Sequence, residues 1–140
     1  MRNFEITVKV NCSLKELNDY LIEKNFKIME KYDCYDRYMI NKDIDISNMK
    51  DLDILSKCVL LRELVGIKSS ITYKNKVYDE NENIIKQSKI DCIIYDLEEG
   101  RKLLEAMNYK ILFEIYDKLT VYSDGNIELS VQYVNDKYLF

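Results

Sequence analysis

SSITYKNKVY (residues 69–78), DENEN (79–83) and IIKQSKIDCIIY (84–95) follow one another in this chain of 140 residues. The two outer segments are rich in the β-branched and aromatic residues that strands favour, and the middle segment is a cluster of turn-forming residues. This order predicts a β-hairpin. Because most of the remaining predicted strands are also joined by short turns, we expect a mainly antiparallel sheet.

The two predicted strands of this hairpin each have a polar face. Successive side chains of a strand point to opposite sides, so Thr72 and Lys74 share one face while Ile71 lies on the other. Lys89 and Asp91 share a face of the return strand in the same way. Such alternation is common where one face of a sheet meets water. It would also arise if several polar-faced strands together enclosed a charged cavity.

Further segments of the chain carry similar local signals. Capping boxes at Ser13–Glu16 and Asp96–Glu99 each predict the start of a helix, and a third, short helix is expected after Ser47. Additional strands are expected over residues 4–10, 26–40, 57–65, 111–122, 127–133 and 137–140. We therefore predict a single α+β domain over residues 1–140, with about eight strands and two or three flanking helices.

The composition excludes several kinds of site. The chain has no histidine, which removes Ser-His-Asp triads and H-E-x-x-H zinc sites. The four cysteines are widely spaced and form no C-x-x-C pair, which argues against a zinc cluster. The net charge of −4 gives no basic footprint for nucleic acid, and no apolar run is long enough for a membrane span.

The N-terminus and the overall composition suggest where the protein is found. The first residues lack the basic-then-apolar pattern of a signal peptide, so we expect a cytoplasmic protein. The abundance of Lys, Ile, Asn and Tyr is typical of an AT-rich, bacterial genome.

Four short motifs occur in a particular order along the chain. They are Glu5-Ile6-Thr7-Val8-Lys9, Leu61-Arg62-Glu63-Leu64, Thr72-Tyr73-Lys74 and Lys89-Ile90-Asp91. Their order and spacing resemble the E-x-E-x-K, L-R-x-R, T-Y-K and R-x-E motifs of the CYTH family of triphosphate tunnel proteins. That family includes class IV adenylyl cyclases, thiamine triphosphatases and inorganic triphosphatases, and the resemblance runs over nearly the whole chain.

This resemblance implies a fold and an activity. The expected fold is an eight-stranded antiparallel β-barrel with a polar bore and helices packed outside. The expected activity is metal-dependent hydrolysis of an inorganic or organic triphosphate. Lys and Arg side chains would balance the charge of the phosphates, and a hard cation, Mg²⁺ or Mn²⁺, would be held by carboxylate, water and phosphate oxygens.

The resemblance also implies residue roles. The catalytic pair would be Lys9 and Glu5. The triphosphate would be bound by Lys9, Arg62, Lys74, Lys89 and Lys118. The metal would be held by Glu5, Asp91 and Glu128.

Several positions depart from the family pattern. Thr7 replaces the middle Glu of the first motif, and Leu64 replaces the second Arg of the next. Thr120 stands where a further cation is usual, and Ser130 where an acid is usual. We therefore expect the fold to be retained while part of the catalytic apparatus is lost. The alternative is a protein that binds a nucleotide or polyphosphate without hydrolysing it.

Two more functions are compatible with the sequence. One is class IV adenylyl cyclase-like activity. The second is a structural role, in which the polar strand faces meet water and the apolar C-terminus, Tyr138-Leu139-Phe140, joins a partner chain. A homodimer is compatible with each of these functions.

Overall fold

The computed structural model describes residues 7–140, and this part of the chain is an α+β structure. Its elements are α1 Leu14–Glu23, β1 Lys27–Asn41, α2 Asp51–Ser56, β2 Val59–Leu64, β3 Lys68–Tyr78, β4 Ile84–Ile94, α3 Leu97–Ala106, β5 Tyr109–Ser123, β6 Glu128–Val134 and β7 Tyr138–Leu139. The α+β class and the hairpin of β3 and β4 are confirmed. Among the helices of residues 7–140, none is long and apolar enough to cross a lipid bilayer.

The seven strands form one hydrogen-bonded sheet in the order β4-β3-β2-β1-β5-β6-β7. The pairs β2–β3, β3–β4, β5–β6 and β6–β7 are antiparallel, as the short turns between them predict. Over the described residues the strand order is open, with β4 at one edge and β7 at the other. The predicted closure into an eight-stranded barrel is therefore not confirmed.

The strand predicted over residues 4–10 is not found in the described part of the chain. Residues 1–6 lie outside the described range, and residues 7–9 have no regular secondary structure. Val10 forms a single antiparallel bridge with Leu139, in which the Val10 N–H donates to the Leu139 carbonyl at 2.8 Å.

The two longer helices begin as their capping boxes predict. The Ser13 side chain accepts a hydrogen bond from the N–H of Glu16 at 3.1 Å, and the Asp96 side chain accepts one from the N–H of Glu99 at 3.1 Å. These bonds satisfy N–H groups that have no partner within the first turn of a helix. After α3, Asn108 has a φ of 71°, the left-handed conformation predicted for it as a helix stop.

The chain divides into two compact units, and the first comprises residues 1–34 and 115–140. The buried core of its described part is Leu21, Tyr122, Val131 and Leu139. Tyr122 also donates a hydrogen bond from its hydroxyl to Asn18 Oδ1 at 2.7 Å, which ties β5 to α1. The C-terminal residues thus pack within their own unit.

The second unit comprises residues 35–114. One buried hydrophobic cluster of this unit is Met39, Leu61 and Leu104, on the side of the sheet that α3 covers. Gly100 of α3 allows the helix to approach closely, because a Cβ at this position would lie 2.6 Å from Cδ1 of Ile94. The apolar faces of β2 and β4 are therefore used to hold α3.

Candidate functional site

The register of β2, β3 and β4 brings polar side chains together on the opposite face. Directly opposed residues of antiparallel strands lie on the same face of the sheet. The opposed pairs are Arg62–Ser70, Thr72–Asp91, Lys74–Lys89 and Lys76–Gln87. We call this group of eight side chains the polar face. It contains four of the residues predicted for the site, namely Arg62, Lys74, Lys89 and Asp91.

The centre of the polar face is buried. Ser70 and Thr72 are only 2% and 1% exposed, and Asp36 of β1 is 3% exposed. Burial of such groups is unfavourable unless they are hydrogen-bonded, so a simple solvent-exposed side of a sheet does not account for it. The members of the polar face on β4, Gln87, Lys89 and Asp91, are exposed, so only its part on β3 is shielded from water.

Arg62 is held in place by Asp36. Its Nε donates to Asp36 Oδ1 at 2.8 Å and its Nη2 donates to Asp36 Oδ2 at 2.9 Å. The two parallel bonds orient the planar guanidinium as well as pairing its charge. The Arg62 side chain remains 26% exposed, whereas that of Asp36 is 4% exposed. The carboxylate therefore acts as the buried anchor and the guanidinium as the outer group.

A short series of hydroxyl groups leads from the centre of the polar face to Asp91. Thr72 Oγ1 donates to Asp91 Oδ1 at 2.6 Å, and Ser70 Oγ lies 3.5 Å from Thr72 Oγ1. The bond from Thr72 lowers the pKa of Asp91 below its ordinary value near 3.8, and the charges of Lys89 and Lys68 lower it further. Asp91 is therefore an oriented, ionised carboxylate at neutral pH.

Removal of the Thr72 hydroxyl tests this account of Asp91. We expect Thr72→Val to raise the pKa of Asp91, because the hydrogen bond favours the charged form. Because the pKa of Asp91 is lower in the folded than in the unfolded chain, the ionised carboxylate stabilises the fold at pH values above the unfolded-chain pKa of about 4. This stabilisation is lost as the pH falls from about 4 through the folded-state pKa. The variant should therefore lose less stability over this acidic range.

Carboxyl NMR titration measures the pKa, and urea unfolding at a series of acidic pH values measures the stability. Thr120→Val, a substitution on β5, is the matched control and should leave the pKa of Asp91 unchanged. The same Asp91 pKa in Thr72→Val and in the native chain would contradict the assignment.

A small cavity lies at the lysine end of the polar face. Its volume is about 110 Å³, and its lining is Tyr38, Leu55, Ser56, Lys74, Lys76 and Tyr78. The ring of Tyr38 stacks on that of Phe113, with 4.5 Å between centroids. Stacking holds this aromatic wall in place beside the two lysines. The cavity therefore combines cationic side chains with a wall built partly of ring atoms.

The described part of the first unit contains three of the predicted site residues, and each of the three has different neighbours. Lys9 Nζ lies 5.3 Å from the centroid of the Tyr138 ring. Lys118 Nζ lies 3.3 Å from Asp136 Oδ1, and this hydrogen-bonded contact raises the pKa of Lys118. Glu128 lines a separate cavity of about 410 Å³. The structure does not test the roles predicted for these residues, and Glu5 lies outside the described residues.

Sequence reasoning did not include Asp36 or Lys76 among the site residues. Alternation along β1 places Asp36 on the same face as Cys34 and Tyr38. It does not predict which strand lies beside β1 in the sheet. The salt bridge between Asp36 and Arg62 depends on the pairing order of β1 and β2. Lys76 could have been predicted as a site residue from the sequence, because it lies two positions after Lys74 and therefore on the same face of the strand.

Few carboxylates are available to hold a metal ion. Within residues 7–140, no group of three or more His, Cys, Asp or Glu side chains could hold a metal ion. Both carboxylate oxygens of Asp36 accept hydrogen bonds from Arg62. Among the eight side chains of the polar face, Asp91 is the carboxylate. Mg²⁺ is commonly held by one or two carboxylates together with substrate phosphates and water. The donor set therefore fits an ion that binds with a phosphate ligand.

Comparison with known proteins supports the fold. No protein-family model matches the chain, and no curated protein matches it in sequence. Among solved structures, a protein of Pyrococcus horikoshii OT3 is 17% identical with a TM-score of 0.66, and a conserved hypothetical protein from Pyrococcus furiosus is 19% identical with a TM-score of 0.66. In both cases the match covers 94% of this chain and 73% of the other.

A third structure carries a functional description. It is described as a "putative adenylate cyclase" from Vibrio parahaemolyticus and is 13% identical, with a TM-score of 0.59, over 94% of this chain and 70% of the other. At these identities the likeness shows a shared fold alone. The chain therefore belongs to the class of α+β proteins with this antiparallel sheet, and the likeness is consistent with a CYTH-like fold.

Proposed function

We propose that this chain is a divergent tunnel protein of the CYTH type, which binds a triphosphate-containing small molecule together with Mg²⁺ or Mn²⁺ and hydrolyses it. The observation that carries the proposal is the polar face of the second unit, whose centre is buried and hydrogen-bonded. In the proposal this face lines the interior of a closed barrel. Lys9, Lys118, Glu128 and Glu5 keep the roles that the resemblance implies.

The charge of the polar face favours a polyanion. Four cationic side chains, Arg62, Lys74, Lys76 and Lys89, stand beside the two carboxylates of Asp36 and Asp91. The whole chain has a net charge of −4, so this local excess of positive charge differs in sign from the protein as a whole. Each charge-assisted hydrogen bond to a phosphate oxygen would contribute about 1.5–3 kcal/mol.

The site residues would have distinct tasks. Arg62, oriented by Asp36, would direct planar N–H donors at phosphate oxygens, and Lys74 and Lys89 would act as point charges. Asp91 would hold the divalent cation, which supplies charge neutralisation and orients water. In hydrolysis a water oxygen bonds to the terminal phosphorus while the bond to the bridging oxygen breaks. The products are orthophosphate and the shortened polyphosphate, with a proton released to solvent.

Binding of inorganic tripolyphosphate with Mg²⁺ is the first test. We expect tripolyphosphate to raise the thermal unfolding temperature, because a ligand that binds only the folded state stabilises it. Lys74→Ala should weaken binding by roughly 10- to 150-fold in isothermal titration calorimetry, since one charged contact of about 1.5–3 kcal/mol is lost. Mg²⁺ alone should bind much more weakly than Mg²⁺ with tripolyphosphate.

Lys102→Ala on α3 is the matched control for the loss of a lysine, because Lys102 lies on an exposed helix surface, paired with Glu99 at 3.2 Å. It should bind tripolyphosphate as the native chain does. Equal binding by native protein and Lys74→Ala, or no stabilisation by any triphosphate, would remove the proposal.

Turnover separates the functions that share this binding site. Phosphate release from tripolyphosphate, thiamine triphosphate or ATP would establish a hydrolase, and binding without release would establish a non-catalytic module. Formation of cyclic AMP from ATP would establish the second candidate, an adenylyl cyclase-like enzyme. The observation that favours this candidate is the fold likeness to the Vibrio structure, which is described as a "putative adenylate cyclase".

A further inference from the structure

A second cavity of the second unit lies beside the lysine cavity, which is the name we give to the 110 Å³ cavity at the lysine end of the polar face. The second cavity has a volume of about 430 Å³, and we call it the apolar cavity. It is lined by one acidic residue, Asp51, and by five apolar residues, Ile46, Ile54, Leu55, Leu112 and Phe113. Cavities of this size and lining are typical of sites that bind small molecules.

The two cavities share a wall. Leu55 lines both of them. Tyr38 lines the lysine cavity and Phe113 lines the apolar cavity, and the rings of these two residues stack with 4.5 Å between their centroids. Lys74 and Lys76 are therefore separated from the apolar cavity by Leu55 and one pair of stacked rings. One molecule that carries both a phosphate group and an apolar group can occupy the two cavities together.

The apolar residues around the second cavity are incompletely covered. Of the six residues of α2, all of which the structure describes, none is buried. Leu55 is 39% exposed, and Ile54, Leu112 and Phe113 are half-buried. Removal of apolar surface from water is favourable roughly in proportion to the area removed. A hydrocarbon group in the apolar cavity would gain this free energy, because it would cover these side chains.

We propose that the apolar cavity binds the organic group of the ligand, and that this group is a hydrocarbon chain rather than a nucleoside. The inference rests on the proposed function, because the phosphates of the same molecule would bind at Lys74 and Lys76. A base and a ribose carry several hydrogen-bonding groups, which lose free energy when they leave water without partners. Asp51 is the polar side chain of the lining, and its negative charge repels phosphate. The molecule is thereby oriented with its phosphates toward the lysines.

Decyl triphosphate, a triphosphate ester of a ten-carbon chain, is the probe, and tripolyphosphate is the reference that lacks the chain. Isothermal titration calorimetry with Mg²⁺, below the concentration at which the ester forms micelles, measures both dissociation constants. We expect decyl triphosphate to bind the native chain about tenfold or more tightly than tripolyphosphate does, since each buried methylene adds to the affinity. ATP should bind more weakly than decyl triphosphate.

Two substitutions in the lining test where the hydrocarbon chain binds. Ile54→Gln and Leu112→Gln should each reduce the difference between the two probes to about twofold or less, because a polar side chain replaces an apolar one. The ratio of dissociation constants is taken within each variant, so a general change at the phosphate site does not affect it. Ile111→Gln is the matched control, because Ile111 is 38% exposed and lies outside this lining. It should keep the native ratio.

Equal affinities of the native chain for decyl triphosphate and tripolyphosphate would overturn this inference and leave the proposed function standing. Tighter binding of ATP or thiamine triphosphate than of decyl triphosphate would also overturn it, since the cavity would then accept a polar organic group. A native ratio in both lining variants, folded as judged by circular dichroism, would show that the hydrocarbon chain binds elsewhere. If neither probe binds, the inference and the proposed function fail together.

Discussion

Leu61→Ala is expected to lower the free energy of unfolding by about 2–5 kcal/mol, the usual range for a leucine truncated in a protein core. Leu61 is 0% exposed and packs with Met39 and Leu104 between the sheet and α3. Truncation would remove its apolar contacts and leave a space that the surrounding strands and helix cannot fully close. Urea unfolding followed by circular dichroism measures the loss.

Leu103→Ala is the matched control for this substitution. Leu103 lies on the same helix as Leu104, but its side chain is 57% exposed, so its truncation should change stability by no more than about 0.5 kcal/mol. Equal losses for Leu61→Ala and Leu103→Ala would show that the sheet and α3 do not pack as described.

Asp36→Ala should give the second large loss, about 1.5–3 kcal/mol, the range for hydrogen bonds to charged groups. The substitution removes both carboxylate acceptors of the Arg62 guanidinium, at 2.8 and 2.9 Å. Because Arg62 keeps some contact with water, the loss should be smaller than that expected for a fully buried ion pair. Urea unfolding at neutral pH measures it.

A double variant separates the stability of this pair from its use in binding. Asp36→Leu with Arg62→Met replaces both charges by apolar groups, which is often close to neutral for stability. We expect it to be more stable than Asp36→Ala and yet to bind tripolyphosphate more weakly than the native chain. Native affinity in this double variant would show that Arg62 has no role in the proposed site.

The parts of the fold that depend on neighbouring residues were predicted well. The capping boxes at Ser13 and Asp96 do begin helices, and the turn over residues 79–83 does join two antiparallel strands. These features follow from contacts between residues close together in the chain, such as a cap side chain and an N–H three residues later. Their energetics are local, so they can be judged from sequence.

The candidate site was predicted only in part. Arg62, Lys74, Lys89 and Asp91, named from the resemblance, do lie on one face of the β2–β4 sheet. Their common face follows from two-residue alternation once the hairpins are in register. The anchoring of Arg62 by Asp36 was not predicted, because these residues are 26 positions apart and belong to different strands.

The amino-acid sequence alone determined the helix starts, the turns, the antiparallel class and the polar face of the hairpin. Tertiary structure alone decided that β1 lies between β2 and β5, that Ser70 and Thr72 are buried, and that β4 is left at an exposed edge. Any strand edge could pair with several others, because all strand edges present the same kinds of backbone N–H and C=O groups. That competition among possible pairings is settled by the packing of the whole chain.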